Sequence, residues 1–195
     1  MANFFKIGFL GLVGFALLVY LTAEEPKQIQ ANDKVGSIVK YESLPKVFDL
    51  VGVDEDVVRE SLIKKNQDTL IVVGNHDSLA VVKDLPKYNK LKIPYILVAN
   101  ISSAPWFVKK MFIPGKLEDL NKGTNIPMIY DFEGDMINAL NHTNMEKTKF
   151  VAYLLNRNGI ISKIYEGTVK EGALDGTMNE SEKKAALEPL SKLLK

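Results

Sequence analysis

The densest chemistry in this chain lies in five consecutive residues, Gly74-Asn75-His76-Asp77-Ser78. An imidazole can act as a general base and a serine hydroxyl as a nucleophile when folding brings them together. Here His76, Asp77 and Ser78 are adjacent in sequence, which is not the same as converging in space, and no G-x-S-x-G elbow surrounds Ser78. The only other histidine, His142, would have to reach Ser78 from a distant element. A structural reading competes with the catalytic one: Asp77 or Ser78 caps the following helix, and His76 is a surface loop residue. Backbone N–H groups at that helix start, facing outward, predict a weak small-anion site. His76 with Asp77 or His142 offers at most one adventitious metal ligand pair, so neither a metal nor a cofactor is expected.

The chain contains no cysteine, which removes disulfides, thiolate metal sites and thiol nucleophiles. A second cluster is apolar: Trp106-Phe107, close to Met111-Phe112 and preceded by the loop-like Ser102-Ser103-Ala104-Pro105. It reads either as a satellite of the core or as an anchor for a protein partner, since Trp and Phe dominate interface hot spots. Asp131-Phe132-Glu133-Gly134-Asp135 has acidic spacing but is too short for a calcium loop, so a solvated turn is expected. With 25 basic and 24 acidic residues, no field directs the chain to nucleic acid.

The elements that must position these groups follow from apolar spacing. Residues 1–23 begin with a positive end at the amino group and Lys6, then run uncharged from Ile7 to Ala23. They form a signal peptide or a retained signal anchor, with 4–23 as the anchoring stretch, and 24–36 is a polar linker arm. Residues 37–195 form one domain, of ordinary globular composition at 46% hydrophobic and 25% charged over the chain. A short strand is expected over 37–41. A helix is expected over 55–65, capped by Asp54 with Val58 and Leu62 inward. A doubly covered strand is expected over 69–73, then a helix carrying Leu79, Val82 and Leu85, with Pro86 in its third turn.

A second central strand is expected over 94–101, and a short helix or turn over 106–112 that ends before Pro114-Gly115. A strand over 126–130 and a short helix over 134–140 follow. Asn156-Arg157-Asn158-Gly159 between two apolar runs predicts a hairpin. Asn179 and Glu182 have capping-box spacing ahead of a helix that buries Leu187, Leu190 and Leu194 and is kinked at Pro189.

Lys83-Asp84-Leu85-Pro86 after a strand and loop resembles the thioredoxin-like superfamily, particularly its exported branch. There a Cys-x-x-Cys opens the helix ahead of a kinking proline. Counting back from Pro86 puts Ser78 and Val81 at the two thiol positions. The family's cis-proline would stand near Lys149-Phe150, where this chain has no proline. Asn156-Arg157-Asn158-Gly159 resembles the family's hairpin turn. Ser43-Leu44-Pro45-Lys46-Val47, the loop after Val73, Ala99-Asn100-Ile101-Ser102 and Gly172-Ala173-Leu174 resemble the cysteine-poor YtfJ-like periplasmic proteins. Gly74-Asn75-His76-Asp77 also resembles the GNH box of calcineurin-like metallophosphoesterases, but two histidines cannot ligate a dinuclear centre.

The superfamily resemblance implies an α/β, thioredoxin-like three-layer sandwich with a mixed sheet and helices on both faces, preceded by the N-terminal hydrophobic segment. The expected function is a non-catalytic, redox-inactive, exported domain, periplasmic and soluble or anchored to the inner membrane. It would serve as a structural or interaction component of a cell-envelope assembly. Its partners would be envelope proteins met through His76, Asp77, Trp106 or Phe107, and the membrane if residues 4–23 are uncleaved. Ser78 and Val81 would be vestigial active-site positions. The alternative is a cysteine-free enzyme or small-ligand or anion binder using His76, Asp77 and Ser78.

Overall fold

The computed structural model describes residues 38–195 together with Val13. The expected targeting segment over 1–23, the expected linker arm over 24–36 and Ser37 otherwise lie outside the described residues. Among the described residues no helix is long and apolar enough to cross a membrane.

The chain opens with strand β1 (Val39–Lys40) and a 3₁₀ turn (Tyr41–Ser43), then strands β2 (Val47–Phe48) and β3 (Val57–Val58) and the one-turn helix α1 (Arg59–Leu62). The helix expected over 55–65 is therefore mostly strand and turn. Val57 and Val58, β-branched, pair antiparallel with Phe48 and Val47. Val58 is exposed, and it is Ile63 that is buried.

Strand β4 (Thr69–Gly74) has all six residues buried. It leads into helices α2 (His76–Val82) and α3 (Leu85–Tyr88). The expected continuous helix is broken at Lys83-Asp84, because Pro86 lacks an N–H and is accommodated in the first turn of a new helix. Strand β5 (Tyr95–Asn100) and helix α4 (Trp106–Met111) follow, then α5 (Ile113–Asn121). Pro114 was expected to stop the chain's helical run; it instead opens α5, where its missing N–H is no loss. Strand β6 (Met128–Asp131), helix α6 (Asp135–Ala139), the hairpin β7 (Lys149–Leu155) and β8 (Ile160–Thr168), and helix α7 (Glu180–Leu193) complete the order.

The main sheet has the order β1-β8-β7-β4-β5-β6. β4, β5 and β6 are parallel, while β7 runs antiparallel to β4 and β8 antiparallel to β7. Alternate residues of β4 serve two layers. Leu70 and Val72 pack with Leu79, Val82, Leu187 and Leu190 from α2 and α7. Ile71 and Val73 pack with Tyr41, Phe48, Ile63, Met136 and Ile137 on the other face. Helices thus cover both faces of a mixed sheet. The hairpin and the final capping box are as expected: Asn156 Oδ1 accepts the N–H groups of Asn158 and Ile160, and Asn179 and Glu182 exchange reciprocal bonds of 2.9 Å.

The 131–135 segment is a solvated turn only in part: Glu133 and Asp135 are exposed. Asp131 is buried, and its carboxylate accepts the N–H groups of Met136 and Ile137, both at 3.0 Å, at the start of α6. Burial pushes that carboxyl above its ordinary value even with those bonds.

Candidate functional site

The carboxyl ends of β4 and β5 carry Asn75 and Asn100, and parallel sheets place ligand crevices at such ends. A cleft of about 240 Å³ opens there. Leu79, Ile101, Leu117 and Leu120 form its apolar lining; His76, Lys116 and Lys147 contribute polar and cationic groups. A larger hollow of about 630 Å³ lies along the 141–146 loop, but it is lined by polar and charged groups such as Lys163 and Glu166, which pair with each other. The smaller, apolar cleft is the better ligand site.

The residues singled out in the sequence divide sharply. His76 is exposed, lines the cleft, and has Nδ1 3.5 Å from Asp77 Oδ1. Asp77 is turned inward, its Oδ2 accepting the Gly172 N–H at 3.0 Å and its Oδ1 the Leu174 N–H at 3.2 Å. Burial raises its pKa, but these two hydrogen bonds together with the neighbouring His76 outweigh burial and hold the carboxyl below its ordinary range. Ser78 is fully buried. Its Oγ donates toward the carbonyls of Lys149 at 2.8 Å and Asn75 at 3.0 Å, and accepts the Asn75 N–H at 2.8 Å. Val81 is buried in the layer beneath. Both positions that the resemblance matches to the thiols therefore face the protein interior, away from the cleft.

The helix cap lies two residues before Asp77 and three before Ser78, the two expected caps. α2 begins at His76, with Asn75 as its N-cap residue. Nor does this helix start offer its donors to an anion. The N–H groups of Asp77 and Ser78 bond the Lys147 carbonyl at 2.9 and 3.2 Å, joining α2 to the segment before β7. The expected anion site is thereby filled by main chain.

His142 does not reach Ser78. It is buried, with Nδ1 3.0 Å from the Tyr153 hydroxyl and Nε2 2.7 Å from the Asn144 carbonyl. A carbonyl can only accept, so Nε2 carries the proton and Nδ1 accepts from Tyr153. Burial pushes this imidazole below its ordinary pKa, against the hydrogen bond to Asn144, which favours protonation. Among the described residues no three His, Asp or Glu side chains gather as a metal centre requires.

Asn75 and Asn100 were not recognised as site residues, and they hold the cleft together. The amide nitrogens of both lie 3.4 Å from the Asn144 carbonyl, the atom that also accepts from His142. Asn75 Nδ2 also donates to the Glu146 carbonyl at 2.5 Å. These contacts pin the 141–147 loop over the sheet end. Among the described residues, Asn75 Oδ1 and Asn100 Oδ1 are buried without a hydrogen-bond partner. Flipping the Asn75 amide would set its oxygen against carbonyl oxygens, so the nitrogen's placement is fixed by its neighbours. The only sequence signal for this pair was the placement of each Asn at the end of an apolar strand.

Trp106 and Phe107 do not line the cleft. Trp106, Met111 and Phe112 are all exposed, with Lys110 Nζ 5.1 Å from the centre of the Trp106 ring. Lys109 beside them is buried, its Nζ bonded to the carbonyls of Ser102 and Phe132 and 4.5 Å from the Phe132 ring centre.

No family model matches the chain, and no curated protein does either. Solved structures do. A secreted disulfide oxidoreductase of Mycobacterium tuberculosis, homologous to E. coli DsbE, is 11% identical over 76% of this chain and 98% of its own, with a TM-score of 0.41. An uncharacterized conserved protein from Geobacillus kaustophilus is 14% identical over 77% and 80%, with the same TM-score. The bacterioferritin comigratory protein of Xanthomonas campestris, described with alkyl peroxide reduction activity, is 15% identical over 77% and 94%, again at 0.41. The expectation that the chain is no enzyme is corrected by these likenesses: similar structures include a disulfide oxidoreductase and a protein that reduces alkyl peroxides, although this chain holds no cysteine. The strand–helix–strand unit β4-α2-β5, the antiparallel β7-β8 hairpin beside it and the closing helix α7 form the mixed-sheet arrangement of a thioredoxin-like fold.

Proposed function

We propose that this chain is an exported, thioredoxin-fold interaction component of a cell-envelope assembly, and that it engages its partner at the cleft beyond β4 and β5. The observation that carries this reading is the cleft itself: an apolar lining and a cationic mouth at the sheet end, with His76 at its edge. The exposed Trp106, Met111 and Phe112 supply a second apolar surface for the same partner. Residues 1–23, as signal peptide or anchor, and the polar arm over 24–36 support export and tethering near a membrane. The resemblance to YtfJ-like periplasmic proteins points to the same compartment.

A photo-cross-linking residue placed at position 76 in living cells tests this. The expected result is an adduct with an envelope protein that is absent when the cross-linker stands at Lys192, on the exposed side of α7. Adducts only from position 192, or none from either, would remove the proposal. The reading of His76, Asp77 and Ser78 as a joint ligand site has less support, because Asp77 and Ser78 spend their side chains on main-chain hydrogen bonds.

A further inference from the structure

We infer that the cleft receives the free carboxyl end of a partner polypeptide whose last residue is large and apolar. This rests on the cleft being the partner-binding face. The first support is size: at about 240 Å³ the cleft falls below the roughly 300 Å³ at which pockets for drug-sized ligands begin. It has room for one large apolar side chain against Leu79, Ile101, Leu117 and Leu120, rather than for a run of residues.

The second support is charge. The chain as a whole is balanced, with 25 basic and 24 acidic residues, yet no Asp or Glu lines the cleft. Lys147 shares its charge with Glu171 at 2.7 Å. Lys116 has no acidic partner among the described residues. A carboxylate beside Lys116 therefore meets an unopposed cation.

A terminal residue supplies both complements from one unit: an apolar side chain for the lining and a carboxylate for Lys116. Capture of a terminal carboxylate is an established mode of peptide recognition.

The test uses the full chain held in nanodiscs and fluorescein-labelled hexapeptides, read by fluorescence anisotropy. Three probes share one sequence: a free acid ending in phenylalanine, its C-terminal amide, and a free acid ending in serine. The first is expected to bind at least tenfold tighter than the other two. Lys116→Glu, a change at an exposed position, is expected to abolish the preference for acid over amide. Equal binding of acid and amide, a preference that survives Lys116→Glu, or no binding by any probe overturns the inference. An envelope adduct from position 76 in the absence of peptide binding would leave the interaction role standing, so the two readings fail separately.

Discussion

The carboxylate of Asp77 accepts the backbone N–H of Gly172 at 3.0 Å, across 95 residues of sequence. The Leu174 N–H bonds the other oxygen at 3.2 Å. This one side chain ties the start of α2 to the 3₁₀ turn Ala173–Asp175 that leads toward α7. The carboxylate whose type suggested chemistry is thus a brace.

Asp77→Asn keeps the shape but has a single oxygen for two donors. It is expected to destabilise the fold by about 1–3 kcal/mol, measured by urea unfolding at neutral pH. The Asp77 carboxyl lies below its ordinary 3.8 in the folded chain. Its stabilisation is therefore present above pH 3.8 and is lost as pH falls through the folded value. The gap between wild type and variant should close on acidification; a gap independent of pH would show that charge plays no part.

Ser78→Ala removes a hydroxyl that serves the Asn75 N–H and the Lys149 carbonyl in a fully buried place. A loss of about 1–3 kcal/mol is expected. Ser78→Cys asks a sharper question. A thiol enclosed at this position should resist alkylation in the native chain and react once urea unfolds it. Fast labelling without denaturant would contradict the inward placement of this position.

His142 couples stability to pH in the opposite sense from a paired histidine. Its pKa is depressed by burial below the ordinary 6.5, so under mildly acidic conditions the unfolded chain binds a proton that the folded chain does not. Stability should fall as pH drops below 6.5 and level off once pH passes below the folded value. NMR of the imidazole should show the Nε2–H tautomer at neutral pH and a midpoint below 6.5. A midpoint at or above 6.5 would refute this assignment.

Gly167 pairs with Phe150 across the hairpin, and a Cβ there would stand 2.3 Å from the Phe150 ring. Gly167→Ala is expected to cost about 1–3 kcal/mol by overpacking. Phe150→Leu should relieve part of that cost in the double variant, giving a coupling of at least about 0.5 kcal/mol in a thermal-denaturation cycle. Strict additivity would mean that the backbone, not the ring, absorbs the methyl group.

The sequence alone determined whatever a residue settles with its neighbours. β4 and β5 announce themselves as unbroken apolar runs, Asn156 to Gly159 as a hairpin turn, and Asn179 with Glu182 as a helix start. Each rests on interactions spanning a few residues, so the local pattern suffices. Local pattern also misled where two tendencies competed: Val57 and Val58 took a strand because Val47 and Phe48 were available to pair, and Pro114 began a helix rather than ending one.

Only the tertiary structure decided what the 74–78 loop does. Spacing put His76, Asp77 and Ser78 side by side, but their partners sit at Gly172, Leu174, Lys147 and Lys149, far along the chain. The cleft likewise draws on Asn75, Asn100, Lys116 and the loop residues Met145 and Lys147, which come from four separate segments and share no sequence pattern. Those residues meet because β4 pairs with β5 on one side and β7 on the other, bringing three loops to one end of the sheet. Direction was the missing variable. A side chain's type and position along the chain say what it can do, and the packing around it says whether it faces solvent or serves the fold.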